Sequence, residues 1–166
     1  MGPHLRHRST LDTWKIGNLS GTANQLGQSP LRSPSVFNFF RPGYVPPGTA
    51  LVEGGQVAPE FQLVNETTVG GYLNFMQDRI ANGFSSKDVV ATYAAEKALV
   101  LDPARLVQRL NLLMTANQLQ AATVKLITDA LAQPAVTSTS TDAVKANRVY
   151  AAVLMVMASA EYLIQK

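Results

Sequence analysis

Residues 65–166 are divided by helix start and stop signals, and these signals restrict the fold more than any other feature of the sequence. Asn65 is an N-cap residue that predicts a helix start, and Gly83 predicts the end of that helix. Asp102 followed by Pro103 is an N-cap with proline at the first helical position. Apolar residues recur between these signals at intervals of three and four, whereas no segment alternates as a β-strand does. We therefore predict an all-α fold, with four or five helices in this region and essentially no sheet.

The spacing of the apolar residues also predicts which face of each helix is buried. In the helix that begins at Pro103, these residues are Leu106, Leu110 and Leu113. In the next helix the predicted stripe is Leu119, Ala122, Leu126 and Ala130, with Val124, Ile127 and Leu131 at its side. In the last long helix it is Val144, Ala151, Met155 and Ala158. A shorter helix is predicted near residues 89–99, so the region is expected to form a small, irregular helical bundle.

Gly70 and Gly71 lie inside the helix that is predicted after Asn65. Each glycine lowers helix stability by roughly 1 kcal/mol relative to alanine. Adjacent glycines in a helix therefore predict that the backbone of another element approaches closely at this point.

Residues 14–64 form a loop-rich segment that precedes the bundle. Seven glycines and six prolines interrupt it, so no helical period persists for more than two turns. It also contains several aromatic residues, which a flexible linker would not need. Ser33 and Pro34 predict a helical turn that continues to Phe40, and residues 58–61 predict a second one-turn helix. Pro42 and Gly43 fit the central positions of a type II turn.

Residues 1–13 are predicted to be a disordered or non-native tail. They contain no apolar stretch of the kind found in a signal peptide. Residues 1–47 carry five basic residues and one acidic residue, a net charge of +4, but the basic residues are scattered. We therefore interpret them as solvated charges and predict no nucleic-acid binding. The most apolar stretch, residues 149–160, is too short to span a membrane.

The residue types that carry chemistry are scarce. The chain has no cysteine, which excludes disulfides, cysteine-ligated metals and a cysteine nucleophile. Its two histidines, His4 and His7, lie in the predicted tail, so a Ser-His-Asp triad in the folded part is excluded. Glu60 and Glu66 are six residues apart and fit either a carboxylate pair for acid–base catalysis or two favourable charges at helix starts. We predict no catalytic residue, no metal ligand and no cofactor.

The candidate binding residues lie around the aromatic part of the loop-rich segment. Charged residues make up only 15% of the chain, below the roughly 25% that is typical of soluble domains. Such a composition predicts that part of the surface is covered by a partner. The predicted binding residues are Phe37, Asn38, Phe40, Arg41, Tyr44, Glu60 and Glu66.

Four segments resemble the bacterial "domain of unknown function 1800" family. They are residues 26–44 (LGQSPLRSPSVFNFFRPGY), 58–62 (APEFQ), 72–76 (YLNFM) and 157–166 (MASAEYLIQK). The resemblance runs from about Trp14 to the end of the sequence. Members of that family are longer and mostly helical, commonly begin with an export signal, and often have genes beside those of the "domain of unknown function 1501" family. The resemblance thus implies that this chain is the C-terminal third of a periplasmic or extracellular protein, and it supplies no catalytic residue.

Two functions follow as hypotheses. In the first, the chain is a structural or interaction module whose aromatic loop segment docks on the missing N-terminal part of the longer protein. A protein of the 1501 family is a further candidate partner, and the chain by itself is expected to self-associate. In the second, the chain is part of an enzyme whose active site is shared with the missing region, with Asn38, Arg41, Glu60 and Glu66 lining it. The first hypothesis makes this chain by itself a non-enzyme.

Overall fold

The computed structural model describes residues 7–9, 15–84 and 88–164. The chain divides into two compact units, which we call the helical unit (Met1–Ile16 and Gln77–Lys166) and the loop unit (Gly17–Met76). The sequence predicted a boundary between residues 64 and 65. The two divisions differ because the helix that follows Asn65 continues without a break past the end of the loop unit. Of the predicted tail, residues 1–6 and 10–13 lie outside the described residues.

Helices account for most of the regular structure. In chain order the elements are β1 (His7–Ser9), α1 (Ala50–Glu53), a 3-10 helix (Pro59–Leu63), α2 (Glu66–Asn82), β2 (Val89–Ala91), α3 (Ala94–Lys97), α4 (Pro103–Thr115), α5 (Ala121–Ala132), α6 (Asp142–Met157) and α7 (Ala160–Leu163). The all-α prediction is confirmed for the described residues. Six α-helices begin after residue 65 in the described part of the chain, one more than the largest number expected, and two of them, α3 and α7, are only four residues long. None of the described helices has the length and apolar character needed to cross a membrane.

The predicted helix caps are present. The side chains of Asp102 and Ser159 accept hydrogen bonds from the backbone N–H groups of Arg105 (3.0 Å) and Tyr162 (3.3 Å), respectively. Thr141 starts α6 in the same way. Each cap satisfies a donor that a helix N-terminus otherwise leaves unpaired, so these helices begin where the sequence predicted.

The core of the helical unit lies where α4 packs against α5 and α6. Leu106 and Leu110 of α4 are fully buried, as predicted, and Val107 beside them is buried as well. Val149 and Val156 of α6 are also fully buried. The core is therefore built from leucine and valine side chains at helical spacing.

The buried faces of α5 and α6 differ from those predicted. Leu126, the largest side chain of the predicted α5 stripe, is 70% exposed, while Ile127 and Leu131 are buried. In α6, Val144 is exposed, and the buried apolar residues are Ala146, Val149, Ala152, Val153 and Val156. The buried residues recur at helical spacing, as predicted, but they lie on a different side of each helix from the predicted stripe. Both helices carry small apolar residues on more than one side, and spacing alone does not say which side meets a neighbour.

The described residues include a two-stranded antiparallel ribbon that the sequence did not predict. His7, Arg8 and Ser9 pair with Ala91, Val90 and Val89, respectively. Ser9 Oγ donates a hydrogen bond to the fully buried carboxylate of Asp88. Strands of three residues are too short to show alternation, and the two partners lie about eighty residues apart in the chain. For these reasons the sequence predicts a helix near residues 89–99, where the structure has β2 followed by α3.

Buried polar side chains connect the helices of this unit. Glu96 of α3 is almost fully buried and accepts a hydrogen bond from Arg109 Nε of α4 at 2.6 Å. Arg148 of α6 donates to the carbonyl oxygens of Val100 (3.1 Å) and Pro134 (2.6 Å), and burial lowers the pKa of its guanidinium. Both arginines thus have hydrogen-bond partners. Their side chains fix the segments that contain Glu96, Val100 and Pro134 against α4 and α6.

The ring of Tyr93 meets that of Tyr150 edge to face, with centroids 5.5 Å apart. Burial raises the pKa of the Tyr93 phenol above its ordinary value, and the nearby Tyr150 and Glu96 raise it further. The Tyr93 phenol is therefore neutral at physiological pH. The two tyrosine rings stabilise the fold by packing against each other.

Glu161 of α7 caps α5 from outside that helix. Its Oε1 accepts hydrogen bonds from the Gln120 N–H (3.2 Å) and the Thr123 hydroxyl (2.8 Å), and α5 has no side-chain cap of its own. Replacing Glu161 with alanine is expected to lower the free energy of unfolding by about 1–2 kcal/mol, because the first turn of α5 loses an acceptor and a favourable charge. Denaturant unfolding measures the change.

Asp129→Ala is the control for this prediction. It removes an exposed carboxylate from the other end of α5, where the side chain makes a surface ion pair with Lys125. Its expected effect is below about 0.5 kcal/mol. Equal effects of the two substitutions would show that Glu161 does not hold the start of α5.

Candidate docking surface

The loop unit is held together by a close backbone contact at α2. A Cβ atom built on Gly71 would lie 2.8 Å from the carbonyl oxygens of both Thr22 and Ala23. The predicted close approach is therefore confirmed at Gly71, whereas a Cβ on Gly70 would meet nothing within 4 Å. At the start of α2, Asn65 Oδ1 accepts a hydrogen bond from the Thr68 N–H at 3.0 Å, which confirms the predicted cap.

The aromatic segment after Pro34 forms a turn, although a one-turn helix was predicted there. The Asn38 N–H donates to the Ser35 carbonyl at 3.1 Å, and the Phe37 N–H donates to Ser35 Oγ at 3.1 Å. Asn38 has φ +65°, in the left-handed region that asparagine tolerates better than most residues. This conformation stops helical propagation, so the side chains from Val36 to Phe40 do not form a helical face.

A second turn follows directly. The Tyr44 N–H donates to the Arg41 carbonyl at 3.0 Å, which places Pro42 and Gly43 at the centre of a turn, as predicted. Gly43 is not among the residues with positive φ, so the turn is not the predicted type II. The Ala58 N–H donates to the Tyr44 carbonyl at 2.9 Å and joins this turn to the 3-10 helix, whose position confirms the predicted one-turn helix.

These turns create an open groove of about 580 Å³ in the loop unit. The Arg41 N–H donates to Gln62 Oε1 at 2.8 Å, and this bond brings the 3-10 helix to the edge of the groove. The apolar lining residues are aromatic rings and prolines: Pro34, Phe37, Phe39, Phe40 and Pro42. The polar lining residues are Ser35, Asn38, Arg41 and Gln62.

Four of the seven predicted binding residues line this groove: Phe37, Asn38, Phe40 and Arg41. Tyr44 is half-buried and lies outside the lining. Glu60 and Glu66 are both exposed, the first in the 3-10 helix and the second at the first residue of α2. The groove therefore contains the predicted arginine without either predicted carboxylate.

Phe39 and Gln62 also line the groove and were not among the predicted residues. Phe39 stands in the same aromatic run, so composition could have indicated it. Gln62 is 21 residues from Arg41, and no local signal in the sequence connects the two.

The loop unit leaves eight large apolar side chains exposed. Phe37 is 59% exposed, and Leu31 and Val36 are almost completely exposed. Five more are exposed along the same unit: Val52, Val57, Phe61, Val64 and Val69. Contiguous exposed apolar patches mark surfaces that meet another molecule, and these side chains make the loop unit the candidate for such a surface.

Arg41 is the charged residue among those that line the groove. Arg32 and Arg41 are the only charged residues between positions 16 and 52. Neither makes an ion pair with any residue that the structure describes. The described residues also contain no group of three or more histidine, aspartate or glutamate side chains able to hold a metal ion. The groove is therefore an apolar surface with a free cationic group.

Comparison with family models gives a match over residues 4–164, which is nearly the whole chain. The matching model is described as a protein of unknown function (DUF1800). Comparison with curated proteins found no match, and comparison with solved structures found none either. The family match covers both units, including the groove, and the chain belongs to the DUF1800 family of proteins of unknown function.

Proposed function

We propose that this chain is a structural and interaction module, the C-terminal helical part of a longer exported bacterial protein. In this proposal the exposed surface of the loop unit, centred on the groove, docks on the N-terminal part of that protein. The observation that carries the proposal is the exposure of Leu31, Val36 and Phe37, of which Phe37 lines the aromatic groove and the other two lie near it in sequence. The bacterial origin and the export of the longer protein rest on the family resemblance.

The exposed side chains supply enough apolar surface for docking. Burying a phenylalanine, leucine or valine side chain stabilises a complex by about 1.5–3 kcal/mol. Covering Leu31, Val36 and Phe37 thus provides a large part of the roughly 8 kcal/mol that corresponds to a micromolar dissociation constant. The helical unit keeps its core closed at α4, α5 and α6, which suits a module that presents a surface without unfolding.

The first test uses the chain by itself. We expect it to self-associate at micromolar concentrations and to bind a hydrophobic dye, because the docking surface has no partner. Phe37→Ser is expected to raise the concentration at half-association about tenfold, since it removes one buried aromatic contact from the interface. Light scattering across a concentration series measures the change.

Leu126→Ser is the matched control. Leu126 is more exposed than Phe37 and lies on α5 of the helical unit, outside the proposed surface. We expect its self-association to equal that of the unmodified chain. A monomer that binds no dye, or an equal response of the two variants, would contradict the proposal.

A second test adds the partner. The N-terminal portion of a longer family member, supplied in trans, is expected to suppress both self-association and dye binding. If a protein of the 1501 family suppresses them and the N-terminal portion does not, the proposed partner is wrong.

An enzyme whose active site is shared with the missing region is the alternative. The polar side chains of Asn38, Arg41 and Gln62 in the groove favour it. A site of the kind predicted from the sequence would bring Arg41 and Glu60 together, and only Arg41 lines the groove. The aromatic and proline lining supports docking over catalysis.

A further inference from the structure

The groove contains an arginine whose main chain is held by hydrogen bonds on both sides. The Arg41 N–H donates to Gln62 Oε1, and the Arg41 carbonyl accepts from the Tyr44 N–H. Both polar groups of the Arg41 main chain are therefore held, while its side chain is exposed and forms no ion pair with a described residue. A charged group on a fixed backbone loses less entropy when it binds a ligand.

We infer that the groove takes an acidic, apolar peptide segment of the docking partner, and that a carboxylate of this segment pairs with Arg41. This inference rests on the proposed function and adds the chemistry of the partner. The planar guanidinium matches a carboxylate, with which it forms two parallel hydrogen bonds. Phe40 and Pro42, the lining residues on either side of Arg41, provide apolar contacts for neighbouring side chains.

Charge and size both support a peptide with a carboxylate. No carboxylate is among the described residues that line the groove, and Arg41 makes no ion pair with a described residue, so its charge is open to a carboxylate of a ligand. The volume of about 580 Å³ is within the range of sites that hold small ligands or a few side chains. A free inorganic anion would leave the aromatic and proline lining unused.

The test uses the full chain and two capped peptides. The first is acetyl-Ala-Pro-Phe-Glu-Phe-Pro-Ala-amide, which joins one carboxylate to aromatic and proline side chains. The second has glutamine in place of glutamate and has the same shape without the charge. We expect the glutamate peptide to bind about tenfold more tightly than the glutamine peptide, and the difference to shrink at high salt. Fluorescence anisotropy of labelled peptides measures both affinities.

Arg41→Gln is the decisive variant. It is expected to weaken binding of the glutamate peptide about tenfold and to leave binding of the glutamine peptide unchanged. Arg32→Gln is the matched control, because Arg32 is an exposed arginine of the same unit that does not line the groove. It should bind both peptides as the unmodified chain does.

Three results would overturn the inference. They are equal binding of the two peptides, an equal response of the Arg41 and Arg32 variants, and competition by inorganic phosphate that matches competition by the glutamate peptide. Absence of binding by either peptide at millimolar concentration would also overturn it. The docking proposal is tested separately, because Phe37→Ser is expected to weaken self-association whether or not Arg41 binds a carboxylate.

Discussion

Replacing Leu110 with alanine is expected to lower the free energy of unfolding by about 2–5 kcal/mol. Leu110 is fully buried in α4, which packs against α5 and α6. The substitution removes one methine and two methyl carbons and leaves a cavity that the surrounding helices fill only partly. Denaturant unfolding of the full chain, followed by circular dichroism, measures the change.

Two further substitutions in α4 serve as controls. Leu112→Ala makes the same chemical change at a side chain that is 50% exposed, and we expect a loss below about 1 kcal/mol. Arg105→Ala changes an exposed residue in the first turn and is expected to have an effect below about 0.5 kcal/mol. Equal losses for the two leucine variants would mean that α4 turns a different face to the core.

Gly83→Ala is expected to lower the free energy of unfolding by about 3 kcal/mol. Gly83 ends α2 with φ +70°, and alanine is disfavoured in that region by roughly 1–2 kcal/mol. A Cβ atom at this position would also overlap the carbonyl oxygen of Val89, which accepts a hydrogen bond from the Phe84 N–H at 2.9 Å. The backbone would have to move, so the loss of stability exceeds the loss that the positive φ alone would cause. Thermal and denaturant unfolding both report it.

Gly48→Ala separates the two contributions. Gly48 has the same φ of +70°, but a Cβ atom there would meet nothing within 4 Å. It therefore isolates the conformational part, which we expect to be about 1 kcal/mol. If Gly83→Ala lowered the free energy of unfolding no more than Gly48→Ala does, the overlap with Val89 would make no contribution to the loss.

The helix boundaries could be predicted because each depends on a few adjacent residues. Asp102 and Pro103, or Asn65 and Gly83, specify a start or an end through local hydrogen bonds and fixed dihedral angles. The buried faces of α5 and α6 could not be predicted in the same way. They depend on which neighbours a helix meets, and this information is spread over the whole unit.

The groove was predictable only in part, for the same reason. Four of the predicted residues lie close together in the sequence, and their composition alone predicted a binding surface: Phe37, Asn38, Phe40 and Arg41. The bond from Arg41 to Gln62 joins residues 21 positions apart, and no pattern in the sequence contains it. That these residues bind a partner stays a prediction, which the peptide and self-association experiments address.

The two adjacent glycines of α2 have a consequence for when that helix can form. Together they weaken its intrinsic stability by roughly 2 kcal/mol relative to alanine. A helix of 17 residues is only marginally stable by itself even without such a penalty. At Gly71 the loss is offset by backbone packing against Thr22 and Ala23, which requires the loop to be in place. The stability of the first half of α2 is thus coupled to the order of residues 22–23, because the helix gains this contact only when that loop is in place.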